Sequence, residues 1–252
     1  MNIPVQHKNL KEIAHEWDAV CQDRANIILN EHDYSLIGVT VPAILNKLET
    51  TAHSKNNLKI IDVGCGTGFL THALSKSFSN VVGIDISAKS IDISANIYSA
   101  DNLKFYVSSI QDFAFSESFD FCTANMVFMT DPNMRDSLRA IYGMLSPTGI
   151  LVFTVTHPCF WPKYWNYETE AWFQYNKEIY IESDFTTSLS DVIGKTTHIH
   201  RPIEQYCRII NDSGFVIDEV LEPYPTGIPP QNYKYPYPRF LLFSCKKSFI
   251  NT

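Results

Sequence analysis

The chain has no Cys-x-x-Cys pair, no long apolar run and no excess of basic charge. Each absence excludes something. Its six cysteines, at positions 21, 65, 122, 159, 207 and 245, are scattered, so the paired-ligand spacing of a zinc site is missing and no metal centre is expected. Several (Cys122, Cys245) lie in apolar runs, as reduced, buried thiols of a cytoplasmic protein do. Without about 18 consecutive apolar residues there is no membrane-spanning helix. Met1 to Leu10 is polar and lacks the apolar core of an export signal, so a cytoplasmic location is expected. A net charge of −7 argues against nucleic-acid and anionic-membrane partners. Internal repeats and low-complexity segments are also missing. What remains is 252 residues, 45% hydrophobic, enough to bury the core of one large domain, or of a domain with an insertion.

The pattern that is present alternates strand and helix. Leu10, Ile13, Ala14 and Trp17 share one helical face, and a second helix is expected from Pro42 to Leu48, with proline in its first turn. Strands are expected near 58–63, 80–85, 103–108, 119–124 and 149–155, and helices near 67–78, 88–99 and 133–145. This spacing implies parallel βαβ units. Leu145-Ser146-Pro147-Thr148-Gly149 reads as a turn that launches the fifth strand. The pattern then breaks into an aromatic segment, 157–197, that holds three of the four tryptophans. It returns with a helix near 202–213 ended by Gly214, a strand Phe215 to Leu221, a proline-rich loop, and a last strand Phe240 to Cys245.

The most informative stretch is Lys59 to Gly68. Ile60, Ile61 and Val63 form a β-branched strand suited to burial on both faces. Gly64, Gly66 and Gly68 then allow a tight turn and the close approach of a ligand. A second strand ends at Asp85, beside that turn, where a carboxylate can accept both hydroxyls of a ribose. A nicotinamide dehydrogenase would use the same acid, but it predicts Gly-x-Gly-x-x-Gly spacing, which this turn lacks. Asp62, at the end of the first strand, can meet the ammonium group of a bound zwitterion. Asp85 could instead cap the following helix, although Ser87 can supply that cap.

Asp62-Val63-Gly64-Cys65-Gly66-Thr67-Gly68, Ile84-Asp85-Ile86-Ser87 and the Ser146-Pro147-Thr148-Gly149 turn together resemble the class I S-adenosylmethionine-dependent methyltransferases of the small-molecule type. The resemblance is strong over residues 55–155. It implies a Rossmann-like, doubly wound α/β fold with a seven-stranded, mostly parallel sheet whose last strand, Phe240–Cys245, is antiparallel. Residues 1–50 would form an N-terminal helical cap and 51–252 the cofactor-binding domain, with an aromatic lid inserted at 157–198. The cofactor implied is S-adenosyl-L-methionine. Asp62 and the turn residues Gly64, Cys65, Gly66 and Thr67 would meet its methionine and ribose parts, Asp85 its ribose hydroxyls, and Ile86 its adenine. Ser109 stands where the family often carries an acid, and it and the Ile110 backbone would serve the adenine amine. Asn125 and Met126 would contact the sulfonium end through backbone groups.

His157, after the fifth strand, lies at the carboxyl edge of the sheet, where ligands bind in open α/β folds. It could act as a general base or pin its loop through hydrogen bonds. His200, in His198-Ile199-His200-Arg201-Pro202, could cap the next helix or line the substrate pocket, and is the second catalytic candidate. Trp17, Tyr34, Phe160, Trp161 and Trp165 are candidate substrate contacts, because an aromatic lid suits a flat or apolar molecule and can exclude water. The expected function is methyl transfer to O or N of a small molecule by a monomer or homodimer. The alternative is an S-adenosylmethionine-binding protein with a non-methylating role, a cyclase or a partner subunit. The acidic charge argues against RNA as the acceptor, and Asn125-Met126-Val127-Phe128, where an Asn-Pro-Pro-Tyr-type motif would stand, argues against amine methylation of bases or glutamine.

Overall fold

A computed structural model describes residues 2–52, 57–187, 191–231, 233 and 236–248. In chain order it comprises β1 (Ile3–Val5), α1 (Leu10–Leu29), a π-helical turn (Leu36–Thr40), α2 (Val41–Thr51), β2 (Lys59–Val63), α3 (Phe69–Ser75), β3 (Asn80–Asp85), α4 (Ala88–Ile97), β4 (Leu103–Val107) and β5 (Phe119–Asn125). There follow α5 (Met134–Met144), β6 (Leu145–Thr156), α6 (Trp161–Tyr164), β7 (Ile179–Phe185), β8 (Gly194–His200), α7 (Ile203–Asp212), β9 (Phe215–Leu221) and β10 (Phe240–Lys247).

Seven strands form one sheet in the order β4-β3-β2-β5-β6-β10-β9. β10 runs antiparallel to both neighbours, and the inner pairs are parallel, so the fold is the Rossmann-like sheet with a reversed last strand. The order runs outward from β2 to β4 and restarts at β5. The carboxyl ends of β2 and β5 therefore flank the crevice in which open α/β sheets bind ligands.

Alternation along the strands splits the core into two layers. Ile61, Val63, Ile84 and Phe153 face α5 and α7. Ile60, Val81, Phe121 and Val152 face α2 and α3. Val41, Ile44 and Leu48 of α2 join that second layer, so α2 helps to cover the central sheet. α1 starts at a capping box in which Asn9 and Glu12 satisfy each other's orphan N–H groups. It buries Ile13, Val20, Cys21, Ala25 and Ile28.

Two features depart from the sequence reading. The 145–149 turn lies inside a strand: Phe119 pairs with Leu145 and Phe121 with Ile150, so the residues between them bulge out of the ladder. The aromatic segment also carries a sheet of its own, β1-β7-β8, all antiparallel. Ile3–Val5 pairs with Tyr180–Glu182, more than 170 positions further along the chain, a contact that no local pattern announces. Residues 188–190 of the expected insertion lie outside the described ones. Among the cysteines, Cys21, Cys122 and Cys245 are buried, whereas Cys159 is exposed. No described helix is long and apolar enough to cross a membrane.

Candidate functional site

The turn from β2 to α3 needs its glycines. Gly64, Gly66 and Gly68 have φ of 63, 54 and 86°, the left-handed region that L side chains avoid. A Cβ on Gly64 would lie 2.4 Å from Val127 Cγ2, whereas one on Gly66 would meet nothing within 4 Å. Gly66 is thus the point where the turn leaves open space for something other than protein.

Two carboxylates sit beneath this turn. The Gly66 and Ser87 backbone N–H groups each donate to Asp85 at 2.8 Å. Ser87 caps α4 by accepting from the Ser90 N–H at 3.0 Å, which leaves Asp85 free of that duty. The Ser87 hydroxyl also donates to Asp18 of α1, latching α1 over the site. Asp62 is 1% exposed and accepts from the hydroxyls of Thr71 at 2.7 Å and Thr123 at 2.8 Å. Burial pushes its carboxyl up to about 7 against those two bonds, and the Asp85 charge adds to the rise. Burial also raises Asp85, opposed by the N–H groups of Ser87 and Gly66. Among the described residues neither carboxylate forms an ion pair. A buried and a half-buried acid without a countercharge are costly to ionise, and a ligand that carries positive charge would relieve that cost.

At the end of β5 the chain kinks. Met126 has φ 61°, rare for methionine. Its N–H donates to the Thr154 carbonyl at 3.0 Å, and the Thr154 hydroxyl donates to Asn125 Oδ1 at 2.6 Å. The following loop is held by Arg201, which is 2% exposed. Its guanidinium donates to Glu178, the Phe128 carbonyl and the Asp131 carbonyl at 2.6, 2.6 and 2.8 Å. The Ile199 N–H adds a bond to the Met129 carbonyl at 2.6 Å. Arg201-Pro202 thus fixes the wall of the site and starts α7.

A cavity of about 280 Å³ lies over this edge of the sheet. Asp62, Gly64, Cys65, Gly66, Thr67, Asp85, Ile86, Ser109, Ile110, Asn125 and Met126 all line it. So do Trp17, Trp161 and Trp165. Ser109 is engaged locally with Asp112, donating to its carboxylate at 2.6 Å and accepting from its N–H at 3.1 Å.

Four candidates lie elsewhere. Tyr34 packs on Tyr233, with ring centroids 5.0 Å apart. Phe160 stacks between His157 and Tyr237. His157 is buried, but as a pin: Nε2 lies 3.0 Å from Glu222, Nδ1 accepts from the Cys159 N–H at 3.2 Å, and its own backbone N–H donates to the Arg239 carbonyl. Burial lowers its imidazole against the Glu222 carboxylate. His200 places Nε2 2.9 Å from the Tyr175 carbonyl and packs edge-on to Phe173 and Tyr175. Burial lowers it too, opposed by that bond. Neither ring is among the residues that line the cavity; His157 is held by Glu222 and the Cys159 N–H, and His200 by the Tyr175 carbonyl.

The wall also holds residues the sequence reading passed over, among them Arg24, Asp131, Phe185, Phe240 and His198. His198 stands two positions before His200 and two after Thr196, which also lines the cavity. Strand alternation through β8 puts Thr196, His198 and His200 on one face, so the sequence alone does not single out His198.

Residues 54–205 match a family model described as a methyltransferase domain, more than half of the chain. The chain is 29% identical over 175 residues to the malonyl-[acyl-carrier protein] O-methyltransferase of Bacillus cereus, covering 68% of this chain and 60% of that protein. It is 29% identical over 163 residues to the mitochondrial ubiquinone biosynthesis O-methyltransferase of Mus musculus, covering 60% and 42%. The matched stretches span less than two thirds of these relatives. Among solved structures, an S-adenosylmethionine-dependent methyltransferase from Mesorhizobium loti superposes with a TM-score of 0.59 at 19% identity, covering 80% of this chain and 96% of the other. The DhpI-SAM-HEP complex superposes with a TM-score of 0.65 at 17% identity, covering 96% and 99%. Both share the fold.

Proposed function

The chain belongs to the methyltransferase-domain family, whose cofactor is S-adenosylmethionine, and on that premise we propose that it transfers a methyl group to an oxygen of a small-molecule acceptor. The observation that carries the reading is the pair of carboxylates beneath the open glycine turn, Asp62 buried and Asp85 half-buried, neither in an ion pair among the described residues. Asp62 and Asp85 fit a ligand with a cationic amino-acid end and a ribose diol, and Gly66 leaves the room for it. Asp62 would take the ammonium group, Asp85 the ribose hydroxyls, and Ile86, Ser109 and Ile110 the adenine. The backbone of Asn125 and Met126, held in a left-handed turn by Thr154, would face the sulfonium end. Bound there, S-adenosylmethionine supplies a methyl group already activated for displacement. The protein's task is then orientation and the exclusion of water, which α1 and the aromatic wall are placed to provide. The choice of oxygen follows the two relatives named as O-methyltransferases.

Labelled S-adenosylmethionine tests the proposal in two steps, binding and then transfer to a metabolite panel. Binding followed by transfer is expected. Asp85→Ala should weaken binding by about 100-fold, since it removes a charge-assisted acceptor of two hydroxyls. Unchanged affinity would remove the ribose assignment. Binding with no transfer to any acceptor would leave the non-methylating alternative.

A further inference from the structure

The cavity is also lined by α1, the lid aromatics and β8, which the cofactor assignment leaves unused. We infer that His198 donates a hydrogen bond from Nδ1 to an oxygen of the acceptor, and that this acceptor is a carboxylic acid carried on an apolar body. The inference rests on the methyl-transfer reading above.

The tautomer follows from Tyr167. That residue is 1% exposed, and its hydroxyl lies 3.2 Å from His198 Nε2. A buried phenol with one partner donates to it, because its proton has no other destination. Nε2 is then the acceptor, and the proton of the neutral ring sits on Nδ1. Nδ1 has no protein partner although His198 is 4% exposed. Trp165 fixes the ring edge-on at 5.2 Å between centroids. A buried N–H without an acceptor is costly, and an oxygen of a molecule in the cavity would satisfy it.

A carboxylate is favoured over a hydroxyl because, among the described residues, each carboxylate of the wall is already engaged. Asp33 is held by Arg24 and by the Leu36 N–H. Asp131 is held by the Ser137 hydroxyl and the Asn133 N–H. Asp62 and Asp85 each accept two bonds beneath the glycine turn. His198 presents an N–H rather than a lone pair, and burial keeps the ring neutral. A hydroxyl acceptor would have to lose a proton to one of these groups, whereas a carboxylate is already a nucleophile. Its oxygen attacks the methyl carbon, the C–O bond forms as the C–S bond breaks, the electron pair stays on sulfur, and no proton moves. Arg24, the one permanent cation among the described lining residues, is paired with Asp33 and has further N–H donors for the acid's oxygens. Trp161 and Phe240 supply an apolar surface for the rest of the molecule.

The test uses methyl-labelled S-adenosylmethionine with matched acceptors on the same bodies: benzoate against phenol, indole-3-acetate against tryptophol, octanoate against octanol. Label is expected in base-labile methyl esters. His198→Phe should raise the KM for the acid about tenfold or more and move kcat far less, with the affinity for S-adenosylhomocysteine unchanged. His198→Asn, whose amide nitrogen can take the place of Nδ1, should recover most of the loss. Without turnover, the accepted acid should raise the melting temperature of the S-adenosylhomocysteine complex of the parent protein but not of His198→Phe. If His198→Phe does not fold, Tyr167→Phe serves. It releases the tautomer and should raise KM several-fold, and an unchanged KM would refute the hydrogen-bond argument. Transfer to phenols or alcohols but not to acids overturns the inference and leaves the methyltransferase standing. So does a His198→Asn variant no better than His198→Phe. Cofactor binding with no transfer to any acceptor overturns the functional reading itself.

Discussion

Asp62→Asn separates what the buried carboxyl does for the ligand from what it costs the fold. An ordinary aspartate titrates near 3.8, and Asp62 is pushed up to about 7, chiefly by burial. Its folded value lies above its unfolded one, so the native state binds the proton more tightly. The stability this provides is complete below about pH 4 and is lost as pH rises through about 7. At about 1.4 kcal/mol for each pH unit between the two values, the loss is about 4 kcal/mol by pH 8. An amide at this position has no charge to desolvate. It can accept from one of Thr71 and Thr123 and donate to the other, since a hydroxyl does both. In urea unfolding without cofactor, Asp62→Asn should therefore match the parent near pH 4 and exceed it by about 2–4 kcal/mol at pH 8.5. The same variant should bind S-adenosylmethionine at least about tenfold more weakly, because a charged partner of the ammonium group is gone. Parallel stability curves across pH, or a variant less stable at pH 8.5, would refute the burial argument. Greater stability with undiminished affinity would refute the ammonium assignment.

The glycine turn gives a paired test. Gly64→Ala places a Cβ 2.4 Å from Val127 Cγ2 at φ +63° and should cost about 2–4 kcal/mol in thermal unfolding, part of it recovered by Val127→Ala. Gly66→Ala has no such clash and should cost only about 1–2 kcal/mol. Its methyl group occupies ligand space, so cofactor affinity should fall more than stability does; the reverse order would be inconsistent with the assigned roles. His157→Ala removes the acceptor of the Cys159 N–H and the partner of Glu222. It should lower stability by about 1–3 kcal/mol with cofactor affinity and kcat within about twofold. A loss of kcat by orders of magnitude in a stably folded variant would return His157 to the chemistry.

The strand, glycine turn and helix at 59–75 were legible because their causes are local. A β-branched run, three glycines and an acid at the strand end specify the backbone whatever surrounds it. Asp85, Ile86 and Asn125 were legible for a related reason. Parallel strands of similar length bring their carboxyl ends to one edge, so a residue's place along its strand predicts its place in the site. The histidines were not legible in this way. Position brought His157 to the right edge, but Glu222 and the Arg239 carbonyl, both far along the chain, decide where its ring and its loop are held. His198 and His200 differ by two positions on one strand. Only the packing of Trp165, Tyr167, Phe173 and Tyr175 against that strand makes one a wall of the cavity and the other a brace.

The sequence by itself determined a doubly wound sheet, the glycine turn with its two acids, and a lid rich in aromatics, because each rests on short-range backbone geometry and on periodicity. The tertiary structure alone decided that Ile3–Val5 would close a sheet with the lid, that α1 would be latched across the cofactor edge through Asp18 and Ser87, and that His198 would be the histidine facing the cavity. Those outcomes depend on pairings between residues tens to nearly two hundred positions apart. They are set by which buried polar groups find partners once the chain has collapsed, and the order of residues along the chain carries no direct record of that.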